Sequence, residues 1–221
     1  MIVAVTGGKG GVGKSTVAYN LAAHLDGLVV DGDLAMADLP AGRGPDLHDV
    51  LADRAAPAEA VRTDGPVAMV PCGRTLAGAR AADPTALTDV LERLDRRHRW
   101  VVVDSPAGMR ADVGLPLAAA DATVLVTTPS TAALADGLRV RALARELDAG
   151  LCRVVLNRAP PDTSTDPVAE RFGAPVVTVP DSDAVATAQR HGQPVRATAP
   201  ASAAADAFRA LGAGVYSCSS V

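Results

Sequence analysis

The stretch Ile2-Val-Ala-Val-Thr6-Gly7-Gly8-Lys9-Gly10-Gly11-Val12-Gly13-Lys14-Ser15-Thr16 decides the fold. Its first five residues form a short apolar run closed by glycine, the mark of a buried strand. From Lys14 the spacing changes. Val17, Ala18, Leu21, Ala22 and Leu25 fall at i, i+1, i+4, i+5 and i+8, one face of a helix. Between strand and helix, Gly8–Ser15 fits G-x-x-x-x-G-K-[ST]. Glycines let successive backbone N–H groups converge on phosphate oxygens without a Cβ in the way. The helix that follows adds the partial positive charge of its N-terminus. In that pattern Lys14 reaches the terminal phosphates, and the Ser15 hydroxyl suits a hard cation such as Mg²⁺. Gly8, Gly10, Gly11, Val12, Gly13 and Thr16 complete the expected phosphate cradle.

Outward from this loop, valine-rich runs alternate with helical patterns. Strands are expected at Leu28–Asp31, Pro66–Val70, Trp100–Asp104, Ala122–Thr127, Leu151–Asn157 and Ala174–Val179. Short helices are expected at Asp46–Leu51, Pro57–Val61, Asp112–Ala119, Asp166–Phe172 and Asp183–Arg190. Longer ones begin at Asp83-Pro84, running to about Arg97, and at Ser130 or Thr131, running to about Leu147. A terminal helix is expected over Ala201–Leu211. The alternation predicts an α/β fold of three layers, a mostly parallel sheet covered by helices on both faces. No composition break divides the chain. Residues 1–214 are read as a single domain and 215–221 as a frayed tail.

Composition narrows the class. The 221 residues carry 21 Lys and Arg against 25 Asp and Glu, a net charge of −4, which argues against a globally basic nucleic-acid binder. DNA binding through a local patch is left open without support from net charge. Aromatic residues are only 2% of the chain, so Val, Leu and Ala must build the core, as in helices packed on a parallel sheet. No apolar run reaches the ~18 residues of a membrane span, and no signal peptide is read. Cys72, Cys152 and Cys218 are odd in number and lack C-x-x-C, which points away from a disulfide framework or metal site and suits a reducing cytoplasm. His24, His48, His98 and His191 show no metal-ligand spacing and are read as ordinary surface or core residues. Basic runs at Arg93–Arg99 and Arg139–Arg145 are expected to face helix C-termini and solvent. The chain has two lysines, Lys9 and Lys14, both inside the phosphate loop, while arginine meets every other need for a cation. A compact ammonium enters a crowded phosphate cradle where a planar guanidinium fits poorly.

Gly8-Lys9-Gly10-Gly11-Val12-Gly13-Lys14-Ser15-Thr16 resembles the deviant Walker A motif of the MinD/ParA ATPases, the deviation being the early lysine, Lys9. The resemblance covers most of the chain. It implies ATP and Mg²⁺ as ligands, a P-loop NTPase fold, and two ATP-bound subunits facing each other with Lys9 reaching the partner's phosphates. Asp31-Gly-Asp33-Leu-Ala-Met-Ala-Asp38-Leu39 resembles the family's first switch segment. Asp33 would then lie near Mg²⁺ and the attacking water; Asp38 stands where the family usually has Asn. Val101-Val-Val-Asp104-Ser-Pro-Ala-Gly108 resembles the Walker B strand and second switch, with Asp104 holding Mg²⁺ through water or Ser15 and the Gly108 amide approaching the γ-phosphate. Asn157 resembles the adenine-side Asn, and Pro180-Asp181 with Gly192-Gln193-Pro194-Val195 the segment beside the base. Val126–Pro129 with Asp136 and Arg139 resembles a region supporting the dimer face.

The resemblance thus implies a cytoplasmic, slowly hydrolysing ATPase that dimerises with ATP and organises cell division, partitioning or another assembly through an activator or cargo protein. The catalytic set would be Lys9, Lys14 and Asp33, and the metal set Ser15, Asp33 and Asp104. The C-terminal segment is too poor in large apolar residues to hold a bilayer by itself. Two alternatives share the scaffold: an ATP-dependent metabolic enzyme, and an ATP-gated scaffold that barely hydrolyses.

Overall fold

The structure, a computed structural model, describes residues 1–35, 39, 43–108 and 111–219. Among them seven strands form one sheet: β1 (Ile2–Thr6), β2 (Leu28–Asp31), β3 (Ala68–Val70), β4 (Val101–Asp104), β5 (Ala122–Thr127), β6 (Leu151–Asn157) and β7 (Val176–Val179). Their order is β3-β2-β4-β1-β5-β6-β7, and each neighbouring pair is parallel. The three-layer parallel α/β fold expected from the sequence is the fold observed.

Strand side chains alternate between two apolar faces, which is why these strands read as continuous valine runs. Val3, Val5, Val29, Val102, Val124 and Val126 join a core under α1 (Lys14–Leu25) and the C-terminal helix; Leu28, Val30, Val101 and Val103 join a second core. That second core lies under α2 (Leu47–Leu51) and, beyond α3 (Leu76–Ala81), under α4 (Leu87–Asp95). In α4 the buried residues Leu87, Val90, Leu91 and Leu94 recur at helical spacing. On that same side α5 (Ala111–Ala118) supplies Leu117, and α6 (Thr131–Glu146) packs with α7 (Asp166–Phe172) around Val140, Leu125 and Phe172. The first face is completed by α8 (Asp183–Arg190), α9 (Val195–Thr198) and α10 (Ala203–Cys218).

Several boundaries differ from expectation. The third strand pairs only over Ala68–Val70. The helix expected from Asp83 opens as a 3-10 turn, Pro84–Ala86, and ends at Asp95. Helices α3 and α9 were not expected. The terminal helix does not end at Leu211; it continues to Cys218 with Val215 fully buried, so the tail expected from 215 is helical for four further residues. Cys152 in β6 and Cys218 in α10 form a disulfide, which corrects the expectation that no cysteines pair; Cys72 is free and buried. Among the described residues no helix is long and apolar enough to cross a membrane.

Candidate functional site

The carboxyl ends of β1, β2 and β4 converge beside the loop that joins β1 to α1, where open parallel sheets bind their ligands. Gly13 enters α1 in the left-handed region at φ 100°, and Gly11 also has positive φ at 77°. That backbone is open to glycine and strained for other residues. A Cβ on Gly10 or Gly11 would meet nothing within 4 Å, so the inner wall of the loop is bare backbone. Lys14 is buried at 8% exposure and folds back over Gly7, while Lys9 is exposed. Gly11, Gly13, Lys14, Ser15 and Thr16 line a polar depression shared with Arg158 and Gln189.

The loop is held from behind by two contacts that no local pattern announces. The Asn157 amide Nδ2 donates to the Val12 carbonyl at 2.8 Å. One of its two N–H donors therefore braces the phosphate loop, which leaves the other N–H and the oxygen for the adenine contact expected of it. The second contact is at Gly8, where a Cβ would lie 2.4 Å from the backbone carbon and oxygen of Asp136 in α6. Backbone cannot yield there as a flexible side chain would. Gly8→Ala is therefore expected to cost about 1–3 kcal/mol of stability by overpacking and to weaken nucleotide binding at least about tenfold, a shift of ~1.4 kcal/mol. Thermal melting and titration with a fluorescent ATP analogue check it. Asp136 itself pairs with Arg139 at 2.6 Å on the exposed side of α6.

The carboxylates sit at the strand ends. Asp31 and Asp104 are register partners on β2 and β4, both essentially fully buried. Side by side and dry, two carboxylates call for a cation between or beside them. Next to them the Ser105 and Thr6 hydroxyls are buried with no hydrogen-bond partner among the described residues. No group of three or more His, Cys, Asp or Glu among the described residues makes a protein-only metal cage. One or two carboxylates, a serine hydroxyl and phosphate oxygens are how Mg²⁺ is usually held. These residues fit Mg²⁺ with a nucleoside triphosphate: Ser15 and Asp104 would hold the metal with its waters, and the loop amides and Lys14 the phosphates.

Asp33 follows Gly32, whose N–H donates to the Asp104 carbonyl at 2.9 Å, so the segment after β2 starts against the end of β4. The Asp33 carboxylate accepts from the Ala35 N–H at 3.2 Å. Leu39, further along, donates its N–H to Asp31 Oδ2 at 3.2 Å. Asp38 lies outside the described residues. Gly108 has φ 96°, and its N–H donates to the Gly7 carbonyl at 3.5 Å, a long hydrogen bond that the amide would have to give up to reach a phosphate oxygen. Asn157 and Val179 are register partners, so Pro180 and Asp181 leave β7 beside Asn157, with Asp181 exposed. Helix α1 ties this side in: Asn20 accepts from Val195 N at 2.8 Å and Tyr19 donates to the Gly192 carbonyl at 2.7 Å.

Two residues that the sequence left unassigned lie close by. His48 is buried at 2% exposure, with Nε2 3.0 Å from the Leu34 carbonyl and 3.4 Å from Cys72 Sγ. Burial, reinforced by the negative charges of Asp31 and Asp46, pushes the Cys72 thiol up to about 12, so it stays protonated at neutral pH and has no reactive thiolate. A long-range contact places both residues, and no spacing rule finds it.

The chain is similar to known nucleotide-binding proteins. The chain is 34% identical over 169 residues to an uncharacterised ATP-binding protein of Methanocaldococcus jannaschii, covering 72% of this chain and 64% of that one. It thus spans just under two thirds of that relative's length. The structure matches that of the cell division ATPase MinD of Pyrococcus furiosus with a TM-score of 0.91, at 28% identity over 98% of both chains. It matches the septum site-determining protein MinD of Pyrococcus horikoshii, solved with Mg-ADP, with a TM-score of 0.90 at 28% identity, over 97% of this chain and 95% of that one. The model of the CobQ/CobB/MinD/ParA nucleotide binding domain matches residues 3–195, and the chain belongs to this family.

Proposed function

We propose that the chain is an ATP-hydrolysing switch of the MinD/ParA type, in which two ATP-loaded copies close on each other and part after hydrolysis. One observation carries this reading: of the two lysines in the loop, Lys14 is buried in its own cradle and Lys9 is exposed beside it. An exposed ammonium next to a phosphate site adds little to its own site in water, but much once a second copy covers it and excludes solvent. Bound Mg²⁺ would neutralise phosphate charge and set its geometry. The chain's own groups do the rest. Lys14 and the loop amides hold the phosphates, Asp33 orients the attacking water, and Lys9 supplies a cation to the partner's site. Asp104 with Ser15 would hold the metal, and Asp31 ends β2 beside Asp104. Slow turnover follows from a site that is incomplete in one copy. We infer a switch whose paired state recruits an activator or cargo protein, as the septum-site and cell-division relatives suggest.

Size-exclusion chromatography with light scattering tests this with ADP, with ATP and with ATP for Lys9→Ala. The wild type is expected to double in mass with ATP only. Lys9→Ala is expected to bind ATP with near-native affinity and to lose about 10³-fold in turnover, the low end for removing a trans cation. A wild type that stays monomeric with ATP overturns the pairing. A Lys9→Ala variant with normal turnover overturns the trans role.

A further inference from the structure

We infer that His48 is a positioning residue for Asp33, acting through the Leu34–Ala35 peptide group. This deepens the proposed ATPase reading and rests on it for the role of Asp33. The peptide between Leu34 and Ala35 is held at both ends. Its oxygen lies 3.0 Å from His48 Nε2, and its N–H donates to the Asp33 carboxylate at 3.2 Å. A carbonyl oxygen can only accept, so Nε2 carries the proton and donates. A trans peptide is planar, with C=O and N–H pointing in opposite directions, so fixing the oxygen fixes the direction of the N–H. The Asp33 carboxylate is thus aimed by a hydrogen-bonded chain whose far end is an imidazole on α2; the imidazole link is part-buried and the link to Asp33 is exposed.

The imidazole is held in turn. It is buried at 2% exposure, and a Cβ on Gly73 would lie 2.3 Å from its Nδ1. On the α3 side a Cβ on Gly78 would lie 3.2 Å from the same atom. Two glycines therefore leave the space that seats the ring, one at the exit of β3 and one in α3. Cys72 packs at 3.4 Å against the donating nitrogen. A histidine needed only to fill space has no use for a polar edge pointed at a switch carbonyl. The ring is rigid and its donor is set at one distance from its backbone, so it transmits position.

The test uses the full chain and two readouts. His48→Leu removes the donor and keeps apolar bulk; His48→Gln keeps an N–H donor at similar reach; Gly73→Ala leaves the ring intact but pushes on it and on the Asp46 carboxylate that caps α2, whose oxygens would lie 2.8 and 2.9 Å from the new Cβ. With MgATP, His48→Leu and Gly73→Ala are expected to lose about 10- to 100-fold in kcat with KM within about threefold, as for a misaligned reacting group. His48→Gln is expected to recover to within about threefold of wild type. Arg43 is exposed and follows the switch segment. Without nucleotide, tryptic cleavage at the Arg43–Gly44 bond, read by mass spectrometry, is expected to be about tenfold faster in His48→Leu and Gly73→Ala and near native in His48→Gln. This readout needs no hydrolysis, so it decides the His48 tether even if the chain proves not to be an ATPase. Equal effects of Leu and Gln at position 48, or wild-type cleavage and kcat in Gly73→Ala, overturn the inference. If His48→Leu shows no cooperative melt, the Gly73→Ala comparison with wild type decides.

Discussion

Lys14→Arg is expected to leave the fold intact and to remove nucleotide turnover by about 10²- to 10³-fold, the size of effect seen when one preorganised electrostatic donor is lost. The charge is conserved, so the loss comes from shape. The Lys14 side chain is 8% exposed and lies over Gly7, its Cδ 3.4 Å from where a Cβ on that glycine would sit. The loop around it cannot widen. Asn157 pins Val12 from one side, and the Asp136 backbone blocks Gly8 from the other. A guanidinium is flat, wide and rigid, and its five donors point in a fixed fork; an ammonium is compact on a flexible stem. Lys9 presents the opposite case. It is exposed, so Lys9→Arg fits in a single copy and should bind ATP with native affinity. Any loss it causes should appear in turnover, where a second copy crowds it. Isothermal titration for affinity and a phosphate-release assay for rate separate the two. Native turnover in Lys14→Arg would refute the claim that this cradle has no room for arginine. Since both lysines occur here in a chain with 21 basic residues, codon bias does not explain their position, and the prediction tests steric need instead.

The parts of the site carried by local pattern were legible; the parts made by tertiary contact were not. The strands Ile2–Thr6, Leu28–Asp31, Ala122–Thr127 and Leu151–Asn157 are found at the bounds their apolar runs predict, because a strand buried on both faces leaves no polar alternation to blur its ends. The phosphate loop was legible because its chemistry dictates its residues. Helix α3 was missed because Leu76–Ala81 is six residues of Leu, Ala, Gly and Arg with no apolar period; the Thr75 cap and the seat of Gly78 against His48 hold it in place. The terminal helix runs past the expected end at Leu211 although Gly212 and Gly214 follow. Gly212 instead lets α10 approach His24, a Cβ there lying 3.1 Å from its Cβ, and the apolar period runs on to Val215. The Cys152–Cys218 pair spans 66 residues, beyond any spacing rule. Gly8 was read as a phosphate-loop glycine; that it also gives α6 its path past the loop depends on Asp136, far along the chain.

Phe208→Ala is expected to cost about 3–5 kcal/mol, the range for deleting a buried phenyl ring. Against a net stability of roughly 5–15 kcal/mol for an ordinary domain, that is a third or more of the total for most values in the range. Phe208 is 1% exposed, and the core of this chain has few large rings, since aromatic residues make up only 2% of the sequence. Its neighbours on the inner face of α10, Ala204, Ala205, Leu211 and Val215, are mostly small and are buried with it, so no large side chain stands ready to fill the void. The consequence reaches the site because α10 packs on α1, and α1 begins at Lys14. Loosening the layer behind α1 should loosen the loop at its N-terminus. Ligand binding should work in the opposite direction: a nucleotide at 100 times its Kd stabilises the native state by about 2.7 kcal/mol. Phe208→Ala should therefore melt well below wild type without nucleotide and regain part of the difference with MgATP, while its affinity for MgATP falls. Differential scanning fluorimetry across an MgATP series measures both. If Phe208→Ala melts within the error of wild type, α10 does not brace α1. If it melts low but MgATP affinity is native, the coupling from α10 to the phosphate loop is absent.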